Sequence, residues 1–238
     1  MKLLFAVITC ERFRHRADAQ RTTWVPLVGD RATVRFFLAK QGREPLPDEI
    51  FLDCPDDYNS LPLKVKLMFQ WALANGFQKV VKLDDDTCVH ADRFLASVPQ
   101  QSYVGFVNQT PPKPWCSGFA YYVDERAMRI VADAPIPAGE WAEDRFVGGV
   151  LHDAGIKPTW DRRYVLLLPP PAQRSYPYSF ENVVAVCDCR DGVPRYTQAQ
   201  LMELAVQSAP APPPPPVDHS RYCQPHKIWG CPHCFRPA

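Results

Sequence analysis

The feature that most constrains this chain is the run Val80-Val81-Lys82-Leu83-Asp84-Asp85-Asp86, an apolar stretch that ends in three adjacent carboxylates. Val80, Val81 and Leu83 read as a buried parallel strand, and in open α/β sheets ligands sit at the carboxyl ends of such strands. The acids therefore fall at the functional edge of a sheet. Strand alternation sends Asp84 and Asp86 to one side and Asp85 to the other, so two carboxylates can share a hard cation. Three neighbouring negative charges repel one another unless a cation or good donors compensate them. The segment 87–90 leads on toward a helix starting at Ala91.

The rest of the chain fits an α/β domain built around that strand. At 238 residues and 46% hydrophobic content there is ample material for one large core. A formal charge of +1 argues against a dedicated nucleic-acid binder. Nine cysteines are an odd count without the dense framework of a small secreted domain, which favours reduced thiols and a cytoplasmic protein. The apolar start at residues 3–8 is too short for a signal peptide and reads as the first strand; no stretch approaches the ~20 apolar residues of a spanning helix.

Strands are expected at residues 3–9, 32–39, 49–53, 102–107 and 119–123, with a last one at 164–168. Asn59 or Ser60 is placed to cap an amphipathic helix carrying Val65, Met68, Phe69 and Ala72 at helical spacing, and Gly76 stops it. Residues 115–118 read as a turn into the aromatic strand, where Gly118 either lets a ligand approach the backbone or simply makes the turn. Asp124 caps a helix over 125–132. Glu143 and Asp144 open another helix, where the dipole favours carboxylates. Arg14 and Arg21, seven apart after the first strand, share a helical face at the edge where a diphosphate needs positive charge.

Beyond Pro169 periodicity fades, and many of the 26 prolines lie there. The domain is drawn over residues 1–207, a stiff Pro-rich linker over 208–217, and a small tail over 218–238. In that tail Cys223, His226, Cys231 and Cys234 form two paired knuckles with the ligand types of a structural Zn²⁺ site, though only four residues separate them. An untethered set of reduced Cys and His fits the same residues. A metal-bound tail would either offer a surface for a protein partner or cover the active site.

Five blocks in order resemble the β-1,3-galactosyltransferase family, glycosyltransferase family 31, which also holds β-1,3-N-acetylglucosaminyltransferases and Fringe. They are Arg21-Thr22-Thr23-Trp24, then Asp57-Tyr58-Asn59-Ser60-Leu61-Pro62-Leu63-Lys64, the Asp84-Asp85-Asp86 run, Trp115-Cys116-Ser117-Gly118-Phe119-Ala120-Tyr121, and Glu143-Asp144-Arg145-Phe146-Val147-Gly148. Together they cover residues 1 to about 168.

The resemblance implies a GT-A fold, a Rossmann-like mixed sheet flanked by helices, and inverting transfer of a hexose or N-acetylhexosamine from a UDP-sugar to a glycan hydroxyl in β-1,3 linkage. It implies Mn²⁺ or Mg²⁺ held by Asp86 with Asp84, and a nucleotide-sugar pocket lined by Arg21, Asp57, Lys64, Asp84 and Asp85. Trp115, Gly118 and Glu143 would face the acceptor, and Asp144 would be the catalytic base. Two departures stand out: the family's His metal ligand well beyond the base has no counterpart but His152, too close to Asp144, and no amino-terminal membrane anchor is evident. Two other readings of the residues stay open, a catalytically degenerate GT-A fold that only binds sugar or nucleotide, and a metal-dependent phosphoesterase.

Overall fold

A computed structural model describes residues 2–109, 112–167, 182–188, 199–201 and 203. The first strand, β1 (Leu3–Ile8), is buried along its whole length. Its alternate residues feed two cores: Leu3, Phe5 and Val7 face one layer, and Leu4, Ala6 and Ile8 the other. Such two-sided burial marks an interior strand of a sheet covered on both faces. Its neighbours are β2 (Thr33–Ala39) and β4 (Lys79–Asp84), both parallel to it.

Outward from β2 lies β3 (Glu49–Leu52), also parallel. On the other side β4 pairs antiparallel with β7 (Trp115–Asp124), which pairs antiparallel with β6 (Tyr103–Asn108). A two-residue strand β8 (Thr159–Trp160) closes the edge, giving the order β3-β2-β1-β4-β7-β6-β8. The direction reversal at β4 leaves that strand with a parallel partner on one side and an antiparallel one on the other.

Helices α3 (Leu61–Ala74), α5 (Glu125–Asp133) and α6 (Glu143–Asp153) cover one face. Val65, Met68, Phe69 and Ala72 of α3 are all fully buried there, as their spacing predicts. Gly76 ends that helix at φ 74°, a left-handed conformation that side-chain-bearing residues avoid. Asp124 caps α5 by accepting from the Ala127 N–H at 2.9 Å. The opposite face carries α1 (Arg14–Thr22), α2 (Val25–Val28) and α4 (Ala91–Ala96).

Several sequence expectations are corrected. Residues 115–118 belong to β7 itself and do not turn. Residues 87–89 form a strand, β5 (Thr87–Val89), before α4 begins. The strand β9 (Tyr164–Leu167) is not the last, because β10 (Ala185–Asp188) follows and lies between β5 and β9 in a second, three-stranded sheet. Ser60 does occupy the N-cap of α3, but its side chain makes no capping hydrogen bond; Asp57 accepts from the Ser60 N–H at 2.8 Å and caps a short 3-10 turn that runs into the helix. Among the described residues no helix is long and apolar enough to cross a membrane. The linker, and Cys223, His226, Cys231 and Cys234, lie outside the described residues.

Candidate functional site

The site is built where β4 ends beside the amino terminus of α6. Lys82 and Asp84, two apart on β4, emerge on one face. Lys82 is 1% exposed, and its Nζ donates to Asp84 Oδ1 and Glu143 Oε1, both at 2.6 Å, and to the Gly118 carbonyl. Three acceptors match the three protons of an ammonium. Burial alone would lower this ammonium, but the fields of Asp84 and Glu143 overcome it and raise it, so Lys82 is held as a cation.

Glu143 is fixed at its other oxygen by the Tyr121 hydroxyl, which donates at 3.0 Å. Burial raises its carboxyl; Lys82 opposes the rise, and the charges of Asp144 and Asp84 reinforce it. Asp144 accepts from the Gly118 N–H at 3.2 Å and from the Arg145 N–H at 2.8 Å. It too is raised from its ordinary value, by burial first, with Lys82 and the two backbone N–H groups opposing the rise.

Two glycines let these elements meet. A Cβ on Gly118 would lie 2.5 Å from Glu143 Oε1, so a side chain there would displace the carboxylate. A Cβ on Gly148 would lie 2.3 Å from the Cβ of Trp115, so α6 reaches β7 only because residue 148 has none. Trp115 thus backs the helix that carries Asp144.

Strand alternation stops at Asp84, because Asp85 and Asp86 form the turn between β4 and β5. Asp85 is buried, accepting from the Thr9 hydroxyl at 2.8 Å and from Arg16 at 3.2 Å. Asp86 lies 3.5 Å from the same guanidinium and accepts from the Cys187 thiol at 3.4 Å. Its carboxyl is pushed up to about 6, by burial first and by the charges of Asp84 and Asp85 next. Arg16 is itself stacked over the Phe13 ring, 4.1 Å from its centroid. The fully buried Gln20 pins the turn, donating to the carbonyls of Asp84 and Thr87 at 3.1 and 2.9 Å.

Farther along the sheet edge, Lys64 is 2% exposed and donates to the Thr9 carbonyl at 3.0 Å and to Asp56 at 2.7 Å. Asp56, not Asp57, is therefore the carboxylate beside Lys64; Asp57 is engaged in its cap. The spacing Asp56-x-Tyr58-x-Ser60-Leu61 was the signal that could have found it. Arg21 is held by Asp18, Asp48 and Glu49 at 2.8 to 3.1 Å, beside the Phe36 ring. The geometry thus gathers Lys82, Asp84, Gly118, Glu143 and Asp144 into one hydrogen-bonded cluster, with Asp85 and Asp86 at its edge. Gln20, Thr9, Arg16, Tyr121 and Lys82 carry it without having been singled out by the sequence.

Five carboxylates, Asp84, Asp85, Asp86, Glu143 and Asp144, face two cations, Lys82 and Arg16. Oxygen donors and surplus negative charge suit a hard divalent cation, which typically takes one or two carboxylates and completes its shell with substrate phosphates and water. Among the described residues no group of three or more His, Cys, Asp or Glu side chains is arranged to hold a metal by itself. His152 sits in the last turn of α6, two turns from Asp144, with Nδ1 3.7 Å from Asp153.

No family model matches the chain. No curated protein matches it either. Among solved structures it is similar to a glycosyltransferase involved in the glycosylation of the major capsid of PBCV-1, at a TM-score of 0.54 and 13% identity, covering 86% of this chain and 100% of that one. The seven-stranded mixed sheet with helices on both faces is thus a GT-A-like glycosyltransferase fold.

Proposed function

We propose that the protein is a metal-dependent, inverting glycosyltransferase that moves a hexose or N-acetylhexosamine from a UDP-sugar to a glycan hydroxyl, forming a β-1,3 linkage. The observation that carries this reading is the Lys82 bridge, which ties a carboxylate of the Asp triplet to the helix terminus bearing Asp144. Donor-side and acceptor-side groups are thereby held in one frame.

In this reading Asp144 takes the proton of the attacking hydroxyl, and the upward push of burial on its carboxyl makes it a stronger base than a free aspartate. Glu143 serves as an anchor for Lys82 on the acceptor side and does not move a proton. Asp84 and Asp86 would hold Mn²⁺ or Mg²⁺, whose charge would stabilise the departing diphosphate. Asp85 keeps the turn in place through Thr9 and Arg16, and Lys64 with Asp56 shapes the nucleotide side. Arg21, bound by three carboxylates, supports the pocket wall. The protein acts in the cytoplasm on this reading, and its tail carries a structural Zn²⁺ and a partner-binding surface.

A second reading, a GT-A fold that binds without turning over, draws on the lack of a third protein metal ligand among the described residues. Turnover separates them, since acceptor-stimulated UDP release from a UDP-sugar is expected of the transferase and not of the binding fold; calorimetry tests the metal bridge itself, where UDP affinity of the wild type is expected to need Mn²⁺ and to fall in Asp86→Ala. Equal affinity with and without the cation, in both proteins, would remove the metal-bridged reading.

A further inference from the structure

Beside the carboxylate cluster stands an aromatic pair that the chemistry so far leaves unused. Tyr58, on the 3-10 turn before α3, is 67% exposed, an unusual position for a large aromatic side chain. Its ring centroid lies 5.7 Å from that of Trp141, with the planes tilted 37°. The two rings come from separate segments and form a shallow ledge. Its back is braced: the Arg145 guanidinium sits 5.1 Å from the Trp141 ring centroid and donates to Glu140 at 2.8 Å, and Glu140 also accepts from the Ala142 N–H. This bracing holds the Trp141 side of the ledge in place and reduces the ordering that binding must pay for.

Its place relative to the chemistry follows from the chain. Trp141 is three residues before Asp144 and precedes the residue that caps α6. The Tyr58 phenol is raised, by burial first and then by the charges of Asp84, Asp144 and Glu143, so the ring pair stands within the field of the cluster while Tyr58 remains largely open to solvent. An exposed aromatic surface bordered by carboxylates and a guanidinium matches a pyranose, which has an apolar C–H face and a rim of hydroxyls. Diphosphate-binding positive charge lies elsewhere, at Arg16 beside Asp85 and Asp86.

We propose that Tyr58 and Trp141 form the platform for the acceptor sugar, stacking its ring so that one hydroxyl is presented to Asp144. The proposal rests on the glycosyltransferase reading and gives its acceptor side a binding surface. The choice of acceptor over donor follows from the ledge sharing its segment with the base, whose partner is the acceptor hydroxyl.

The test uses saturation-transfer NMR on the full chain with three probes, the methyl β-glycosides of galactose, glucose and N-acetylglucosamine, together with UDP calorimetry in Mn²⁺. At least one glycoside is expected to receive saturation along one face of its ring in the wild type and in Tyr58→Phe. Tyr58→Ala and Trp141→Ala should weaken it roughly tenfold, about 1.4 kcal/mol, with UDP affinity unchanged. Tyr58 is exposed enough that its alanine variant keeps the fold, and Tyr58→Phe separates ring stacking from the hydroxyl. Saturation of equal strength in both alanine variants, or none in the wild type, overturns the platform. Loss of UDP affinity in those variants also overturns it, by moving the ledge to the nucleobase. A wild type that binds a glycoside through the ledge but never binds UDP would sink the transferase reading and leave the platform standing.

Discussion

Replacing Lys82 by Met removes the one cation that touches both halves of the cluster. The side chain is of similar length and apolar, so the change deletes the charge and leaves the volume nearly intact. Breaking a buried ion pair by removing one partner typically costs about 3–5 kcal/mol, because the other charge stays buried and unpaired. Here that cost falls on Glu143, whose side chain is 6% exposed, whereas Asp84 is 40% exposed and is screened by solvent. Glu143 has an escape, which is to take up a proton. For a carboxyl of ordinary pKa near 4.3 that costs about 3.7 kcal/mol at pH 7 and about 1 kcal/mol at pH 5. The penalty of Lys82→Met is therefore capped near 3.7 kcal/mol at pH 7 and shrinks as pH falls. The sign agrees with the upward push on Glu143: a carboxyl raised by folding favours the folded state at low pH, and that contribution is lost as pH rises through its folded pKa. Thermal melts should show a loss of roughly 6–15 °C at pH 7, at about 2–4 °C per kcal/mol for a chain of this size, and much less at pH 5. Lys82→Met/Glu143→Gln should recover stability relative to Lys82→Met, giving a coupling on the order of 1–3 kcal/mol. A Lys82→Met protein that melts with the wild type at both pH values, with no coupling to Glu143, would refute the argument.

Asp144→Asn is expected to lower kcat by about 10²–10⁴-fold with UDP affinity unchanged, while Glu143→Gln lowers stability first. Because burial raises the Asp144 carboxyl, ionising it at neutral pH opposes folding, so Asp144→Asn should also melt higher than wild type at pH 7; a lower melting point would contradict this. The acid limb of kcat/KM should sit above the ordinary carboxylate range. Gly148→Ala should destabilise by about 1–3 kcal/mol, since its methyl meets Trp115, and a melt within error of wild type would count against that packing. Protein purified without chelators should contain one Zn²⁺ per chain, lost in Cys231→Ser/Cys234→Ser; metal-free protein from zinc-replete cells would exclude the tail site.

The elements most legible in the sequence were those whose neighbours leave one choice. β1 and β4 are apolar on both faces, and α3 carries an unbroken helical stripe, so burial alone dictates them. Residues 115–118 were misread because Pro114 and Gly118 look like turn punctuation, whereas Gly118 is small to admit the Glu143 oxygen. β10 was missed because its four residues gain their meaning from β5, about a hundred residues back along the chain, and from β9, about twenty back. At the site, the Asp triplet and the Glu143-Asp144 pair could be read from charge placed next to a core strand and a helix start. Lys82 passed as part of the apolar run, and only the fold shows which carboxylates surround it. Gln20 gave no signal, since a polar residue on a charged helix reads as surface until the turn it holds is seen.

The central claim is sugar transfer from a nucleotide donor, and UDP release measures it most directly. Purified protein with Mn²⁺ should release UDP from at least one member of a panel of UDP-hexoses and UDP-N-acetylhexosamines, by slow hydrolysis alone and faster with a glycoside acceptor. Chelation of the metal, Asp86→Ala and Asp144→Asn should each suppress the acceptor-stimulated rate. No UDP release from any donor, with or without acceptor, in protein that is folded and metal-loaded, would contradict the account.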